Sequence, residues 1–253
     1  MLAEQRRAHI LELLYENGYV RTGALQQQFD VSDVTLRSDL QELERRGRLL
    51  RIRGGAVISL TDVGKTTFDA RLMRHKDAKQ RIALAASQFI RGDSTVIFDA
   101  GTTLLALAHH MPSVNGLTVV TPALNTAQHL LDVDGVDVVI LGGPVDKDTL
   151  STVWPAAQPG ESEWGAHITF LGAHGVDADL DIVEVSLQAA AAKRRLIVAG
   201  RRVIMLADSS KWAVNGRFKV SPITAIDVLI TDAGLAPDIA RKVSEAGIDL
   251  IVV

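Results

Sequence analysis

Val31-Ser32-Asp33-Val34-Thr35-Leu36-Arg37-Ser38-Asp39-Leu40 is the stretch whose reading decides the fold. Ser32 reads as the N-cap of a helix, with Val31 packing forward onto Leu36 as a hydrophobic staple. Leu36, Leu40 and Leu43 recur at steps of four and three and draw one narrow apolar stripe. Val34, Arg37, Ser38, Gln41 and Arg45 fall on the other side of the helical wheel. That side offers a cation, hydroxyl and amide groups and one small apolar side chain. Such a set meets phosphates, base edges and thymine methyls in a major groove. An ordinary amphipathic helix with a solvated face accounts for the same pattern, so the neighbours have to decide.

Upstream, residues 3–16 read as a helix with Ile10, Leu13 and Leu14 on one face and Asn17-Gly18 as its stop. A shorter helix over 22–29 places Leu25 and Phe29 four apart. The chain then turns through Phe29-Asp30-Val31 into the third helix, which ends near Arg46-Gly47. Three short helices with a tight turn before the third have helix-turn-helix spacing. Downstream, Leu50 and Ile52 alternate with Arg51 and Arg53, Gly54-Gly55 turns the chain, and Ala56-Val57-Ile58 returns. A hairpin directly after the third helix is a wing. Arg45, Arg46, Arg48, Arg51 and Arg53 are five cations with no acid among them. They fall where a winged helix meets the phosphate backbone, Arg51 and Arg53 foremost.

V-S-D-V-T-L-R-S-D-L, followed by L-E-R-R-G and R-I-R-G-G-A, resembles the DNA-binding half of the DeoR family of transcriptional regulators. The resemblance implies that Ser32, Thr35 and Arg37 face DNA and that Gly54-Gly55-Ala56 closes the wing. With the wheel added, the expected DNA-contacting set is Ser32, Val34, Thr35, Arg37, Ser38, Gln41, Arg51, Arg53, Gly54 and Gly55. The expected partner is double-stranded operator DNA. The chain departs from the family pattern at Ser38, where a second arginine is usual, and at Arg53, where a histidine is.

At 253 residues the chain has room for two domains and a sizeable core. Apolar residues at 47% and charged residues at 23% mark it as globular. A formal net charge of −3 argues against coating nucleic acid by bulk charge, so DNA binding has to come from a local basic patch. The absence of cysteine excludes disulfides, cysteine nucleophiles and thiolate metal sites, and it suits a reducing compartment. Glu4, Arg6, Arg7 and Glu12 interrupt the apolar residues near the N-terminus, which leaves no secretory core. No run approaches the roughly 18 apolar residues of a membrane helix. A cytoplasmic protein with no membrane attachment, no metal and no cofactor is expected.

Residues 1–58 are thus expected as a small winged helix-turn-helix domain, 59–78 as a linker and 79–253 as a second domain. The linker is polar, running from Thr61, Gly64, Thr66 and Thr67 to Arg71, Arg74, His75 and Lys76, and it turns helical towards Lys79. Beyond it, apolar strands at 94–98, 117–120, 136–141, 168–171, 203–206, 228–230 and 250–253 alternate with helices, notably 104–110, 124–131, 185–198 and 236–246. That alternation implies an α/β domain with a largely parallel sheet, in which small ligands sit at the carboxyl ends of the strands.

The loops at those ends carry the chemistry. In Asp99-Ala100-Gly101-Thr102-Thr103, glycine permits close backbone approach, the threonines supply hydroxyls, and a helix start offers free amides. Together they form an anion cradle suited to phosphate, although a plain helix cap accounts for G-T-T equally well. The G-x-x-x-x-G-K-[ST] pattern of nucleotide hydrolases is missing. Gly142-Gly143 and Leu171-Gly172-Ala173-His174-Gly175-Val176-Asp177 follow two further strands and would line the same rim. The glycines also suit a tight turn, and His174 suits a structural hydrogen bond. Lys211, in Asp208-Ser209-Ser210-Lys211, is either a second phosphate partner or a solvated lysine.

D-A-G-T-T, L-G-G, L-G-A-H-G-V-D, A-D-S-S-K and I-T-D come in the order found in the DeoR-family sensor domain, which is similar in fold to ribose-5-phosphate isomerase. The resemblance covers nearly the whole chain. It implies that Asp99, Gly101, Thr102, Thr103 and Lys211 hold a phosphorylated sugar or polyol effector, and that Gly142, Gly143, His174 and Asp177 shape its other end. Pro122, Trp154 and Gln188-Ala189 depart from the family pattern. The implied protein is a homo-oligomeric, non-catalytic repressor of a sugar or polyol utilisation operon, released from its operator by a phosphorylated sugar. The rival reading is a sugar-phosphate isomerase-like enzyme fused to a DNA-binding module. Its proton-abstracting base would be Asp177 or Glu184, the latter expected at a helix start.

Overall fold

The structure, a computed structural model, describes residues 2–17, 19–46, 48–57, 68–153 and 165–253. Two units follow one another along the chain, Met1–Arg74 and His75–Val253. In the first, the order is α1 (Ala3–Asn17), β1 (Tyr19–Arg21), α2 (Thr22–Phe29), α3 (Asp33–Arg45), β2 (Leu50–Ile52), β3 (Gly55–Val57) and α4 (Phe68–Met73).

Asp30 ends α2 in left-handed backbone (φ 49°), and its N–H donates back to the Gln26 carbonyl, which swings the chain directly towards α3. Ser32 caps α3, its Oγ accepting from the Thr35 amide at 3.2 Å. Leu36, Leu40 and Leu43 are buried against Ile10, Leu14, Leu25 and Leu49, with Val31 packed alongside. Burying each leucine stabilises the unit by about 1.5–3 kcal/mol relative to exposure. The same face of α3 also carries an acid. Asp39, only 1% exposed, accepts from Arg6 Nε at 2.6 Å and Arg7 Nε at 2.8 Å. A buried ion triad therefore ties α3 to α1.

The wing is a three-stranded antiparallel sheet in the order β1-β3-β2. β1 was not anticipated, since Tyr19–Arg21 is too short to display a period. The turn also sits one residue earlier than expected. Arg53 and Gly54 make it, with Gly54 at φ 86°, and Gly55 already pairs with Ile52 and Arg21. A Cβ on Gly55 would run into the Val20 carbonyl oxygen and the Tyr19 ring, so this position admits only glycine without rearrangement. Leu50 and Ile52 are both exposed, and the buried leucine is Leu49. Residue 58 of the expected wing and residues 59–67 of the expected linker lie outside the described residues. α4 packs on α1.

The second unit runs α5 (Lys76–Ser87), β4 (Thr95–Phe98), α6 (Thr102–Ala108), β5 (Leu117–Thr121), α7 (Leu124–Leu130), β6 (Val136–Ile140), β7 (Val145–Asp146), β8 (Ser151–Thr152), β9 (Ala166–Gly172), β10 (Gly175–Val176) and β11 (Asp181–Glu184). It continues with α8 (Leu187–Ala199), β12 (Gly200–Leu206), β13 (Phe218–Pro222), β14 (Val228–Thr231), α9 (Pro237–Glu245) and β15 (Asp249–Val252). Seven of these strands, the seven expected from their apolar runs, form one parallel sheet in the order β15-β14-β12-β9-β4-β5-β6. Val96, Phe98, Phe170 and Ile204 pack with α5, α6 and α7 on one face. Ile97, Leu171, Met205 and Leu229 face the other way, towards α8, α9 and a small antiparallel sheet, β10-β11-β13. The winged helix-turn-helix and α/β architectures are both present, the latter with antiparallel additions that the sequence did not announce.

β4 and β9 are neighbours from which the connections leave in opposite directions, β4 towards β5 and β6, β9 towards β12, β14 and β15. This is a topological switch point, the place in such sheets where a crevice opens beyond the carboxyl ends. One expectation nearby fails. Glu184 ends β11 and does not open a helix; Ser186 caps α8, its Oγ accepting from Ala189 N at 3.0 Å.

Candidate functional site

Two surfaces collect the expected site residues, one in each unit. On α3, Val34 is 77% exposed. Arg37, Ser38 and Gln41 are exposed on the same side. Ser32 and Thr35 share a hydroxyl–hydroxyl hydrogen bond of 2.9 Å at the start of the helix. Arg37 Nε lies 2.6 Å from Asp33 Oδ2, one turn back. Arg53 and Gly54 are exposed at the wing turn, while Gly55 is buried beneath Tyr19 and serves the sheet.

Three of the five arginines are less available than their sequence implied. Arg45 donates two hydrogen bonds to Glu42, at 2.8 and 2.7 Å. Arg46 donates to Glu42 at 2.7 Å and to both oxygens of Glu4 at 3.1 and 2.9 Å. Hydrogen bonds from Arg45 and Arg46 hold the Glu42 carboxyl down at about 2. The Arg51 amide donates to Glu44 Oε1 at 2.9 Å, and its guanidinium lies 3.7 Å from Oε2. No acid stands between Arg45 and Arg53, but folding brings Glu42, Glu44 and Glu4 in from outside that window.

In the second unit the switch point brings together the loops after β4 and β9. Gly101, at φ 153°, opens α6, and a Cβ there would touch only the Leu104 side chain at 3.8 Å. Conformation, not space, therefore demands glycine. Thr102 and Thr103 are buried at the first turn of α6. Asp99 is also buried and fully engaged. Its Oδ1 accepts from the Ala100 amide at 2.8 Å, and its Oδ2 accepts from the Gly172 amide at 3.0 Å and from Lys193 Nζ. Asp99 thus organises the two loops, where the sequence suggested a direct effector contact. Lys193 was missed. It also donates to the Gly172 carbonyl at 2.9 Å and lies 3.5 Å from Glu184 Oε1. Burial works against its charged form, but the Asp99 and Glu184 carboxylates overcome that and raise its pKa above the ordinary lysine value. The signal was present, because Lys193 falls between Ala190 and Leu196 on the buried face of α8.

The remaining expected residues are spread along the rim. His174 follows β9 and is half-buried, and Lys211 closes a 3-10 turn (Ser209–Lys211) after the neighbouring β12. Gly142 and Gly143 are exposed beyond the edge strand β6, two strands and so about 10 Å from β4. Asp177 Oδ1 accepts from the Asp179 and Asp181 amides at 3.0 and 2.9 Å, which gives this carboxylate a turn-closing role. Asp208 Oδ2, after β12, is buried and makes no hydrogen bond among the described residues; the same holds for Thr126 Oγ1 and Asn125 Nδ2 after β5. Unmatched buried polar atoms of this kind call for a ligand or solvent partner. Trp154 lies outside the described residues. Among the described residues no group of three or more His, Asp or Glu side chains is placed to hold a metal, and no helix is long and apolar enough to cross a membrane.

Comparison with known proteins agrees with this two-unit layout. Residues 6–61 match the DeoR-like helix-turn-helix domain, and residues 74–233, more than half of the chain, match the DeoR C terminal sensor domain. The chain is 31% identical to the glycerol-3-phosphate regulon repressor of Escherichia coli K12 over 233 residues, covering 92% of each. It is 29% identical to the HTH-type transcriptional regulator GolR of Listeria innocua over 248 residues, covering 98% of each. Among solved structures, ribose 5-phosphate isomerase from Plasmodium falciparum aligns with a TM-score of 0.40 and 15% identity, over 55% of this chain and 54% of that one. With the helix-turn-helix and sensor halves matched in order and relatives aligned from end to end, the chain belongs to the DeoR family of transcriptional regulators.

Proposed function

We propose that this protein represses a sugar or polyol utilisation operon and is released from its operator by a phosphorylated sugar. The observation that carries the DNA half is the face of α3, where Val34, Arg37, Ser38 and Gln41 stand exposed opposite a fully buried leucine stripe. Recognition helices of this class meet base edges through their N-terminal turns, and two half-sites call for at least two copies of the chain. Arg53 and Gly54, at the wing turn, meet the phosphate backbone. The effector half rests on the crevice between β4 and β9. Gly101, Thr102 and Thr103 take the phosphate there, with Lys211 as a mobile counter-charge, and Asp208 and His174 face the sugar end. Relatives such as the glycerol-3-phosphate regulon repressor agree with this class of effector. A cysteine-free chain that acts on DNA suits the reducing cytoplasm.

The isomerase reading fares worse on geometry. Asp177 uses Oδ1 to close its own turn, and Glu184 is buried 3.5 Å from Lys193, so both candidate bases already hold structural contacts. Incubation with ribose 5-phosphate or fructose 6-phosphate tests this, and product above background would restore the enzyme reading.

A thermal-shift panel of sugar phosphates is the direct test of the whole proposal. A cognate ligand at a hundredfold its Kd adds about 2.7 kcal/mol to the sensor unit, or a rise of roughly 5–11 °C. The same compound should dissociate operator complexes. Lys211→Ala should leave DNA binding intact while blunting that response. A protein that binds DNA equally with and without every compound in the panel would refute the sensor role.

A further inference from the structure

The acid at the start of α3 is out of place on a surface meant for phosphates. Asp33 occupies the first helical position, on the turn that would enter the groove, and its Oδ2 lies 2.6 Å from Arg37 Nε. We infer that Asp33 is a specificity-determining positioning residue, which holds Arg37 for a guanine edge in place of a phosphate. This rests on the DNA-reading function of α3 proposed above.

Charge and donor geometry lead to the same assignment. A guanidinium already facing a carboxylate has little net charge to offer a phosphate, and the carboxylate itself repels one. Its hydrogen-bonding capacity remains. With Nε engaged by Asp33, the two terminal amino groups are the donors left. Guanine O6 and N7 accept two parallel hydrogen bonds from such a pair. The long arginine side chain is 72% exposed and would otherwise sample many rotamers. An acid one turn earlier narrows that choice before DNA arrives. The order of the pair, acid N-terminal to base at i and i+4, is also the favourable one on a helix. Arg37 and Asp33 therefore act together, with affinity for DNA in general given up for selectivity at one base pair.

The experiment is selection from a randomised duplex pool by the full-length protein, alongside Asp33→Asn, Asp33→Glu and Arg37→Ala. The wild type should enrich guanine at one position of each half-site. Arg37→Ala should lose that guanine while keeping the other positions. Asp33→Asn should weaken preference at the same position by about tenfold. It should also bind random-sequence duplex about two- to fivefold more tightly, because a charge facing phosphates has gone. Asp33→Glu keeps a carboxylate within reach of Arg37 and should retain the guanine. A loss of stability alone would lower binding to every duplex, so the opposite movement of selectivity and bulk affinity identifies positioning. The inference is overturned if Asp33→Asn and the wild type select the same sequences, or if Asp33→Asn binds all duplexes more weakly. A wild type that selects no sequence at all would instead remove the DNA-reading function on which the inference stands.

Discussion

Replacing Asp39 by alanine removes the carboxylate that faces two guanidinium groups inside the first unit. Arg6 is 7% exposed and Arg7 reaches outward to Glu4 at 2.7 Å, so the main loss falls on Arg6, whose counter-charge at 2.6 Å disappears. Breaking a buried pair from one side costs about 3–5 kcal/mol. A unit of this length has a total stability of roughly 4–11 kcal/mol, so the substitution consumes about a quarter of it at least and all of it at worst. At about 4–8 °C per kcal/mol for a domain of this size, the melting temperature should fall by about 12–40 °C. The chain supplies its own reporters. Trp154, Trp164 and Trp212 belong to the second unit by sequence, whereas Tyr15 and Tyr19 belong to the first. Tryptophan fluorescence should therefore melt where it does in the wild type, while hydrogen exchange at α1 and α3 amides accelerates and DNA binding is lost. Asp39→Leu combined with Arg6→Met should recover much of the loss, since an apolar pair of similar volume often replaces a buried ion pair without cost. A fall of less than about 5 °C for Asp39→Ala would mean that the triad is solvated and does not lock α3.

Gly55→Ala should destabilise the wing by at least about 1–3 kcal/mol, because the new methyl meets the Val20 backbone; faster exchange of β1 and β3 amides with normal effector binding would check it. Lys193→Met leaves Asp99 and Glu184 facing each other in the interior and should cost the second unit about 3–5 kcal/mol, read from its tryptophan transition. Since the folded Lys193 pKa is raised above 10.5, the cluster's contribution is complete below that value and is lost only as pH climbs through the higher folded one. Alkaline melting of the wild type should show the loss, and a decline already visible at pH 8 would contradict it. Glu42 behaves in the opposite sense. Its pKa falls from 4.5 to about 2 on folding, so its contribution is present above 4.5 and lost as pH drops towards 2. Glu42→Gln should flatten the first unit's acid titration in that window, and added salt should shrink the difference, as expected for an exposed pair.

Long apolar runs made the architecture legible. The inner strands of the parallel sheet, such as β4, β5 and β14, are largely buried and appear as apolar runs, and α3 declares itself through its cap and its leucines. The strands that escaped notice, β1, β7, β8, β10, β11 and β13, are two to five residues long, and some depend on partners far away, as with Tyr19 and Val57. Buried charge escaped for a different reason. Asp39 sits on the leucine face and Lys193 on the alanine face of their helices, yet their partners lie 33 and 94 residues away in sequence. A wheel shows that such a residue is buried, but not what will neutralise it. Of the acids that claim Arg45, Arg46 and Arg51, only Glu4 is distant; Glu42 and Glu44 lie three to seven residues away, just outside the arginine-rich window.

The single carboxylate at the end of β4 couples parts of the chain that lie far apart in sequence. Asp99 binds the amide of its own loop and the amide of the loop after β9, with Lys193 beneath both. The two loops nearest the switch point therefore form one stiff jaw. A change that reshapes either loop alone has to break a buried ion pair, so the two loops are constrained to move and to change together. Gly142-Gly143, exposed beyond β6, lie outside this tie, whereas the turn after β12 is held separately, through the hydrogen bonds of Ser209 to Asp232. The rim can therefore be reshaped at Gly142-Gly143 without disturbing the jaw formed by the loops after β4 and β9.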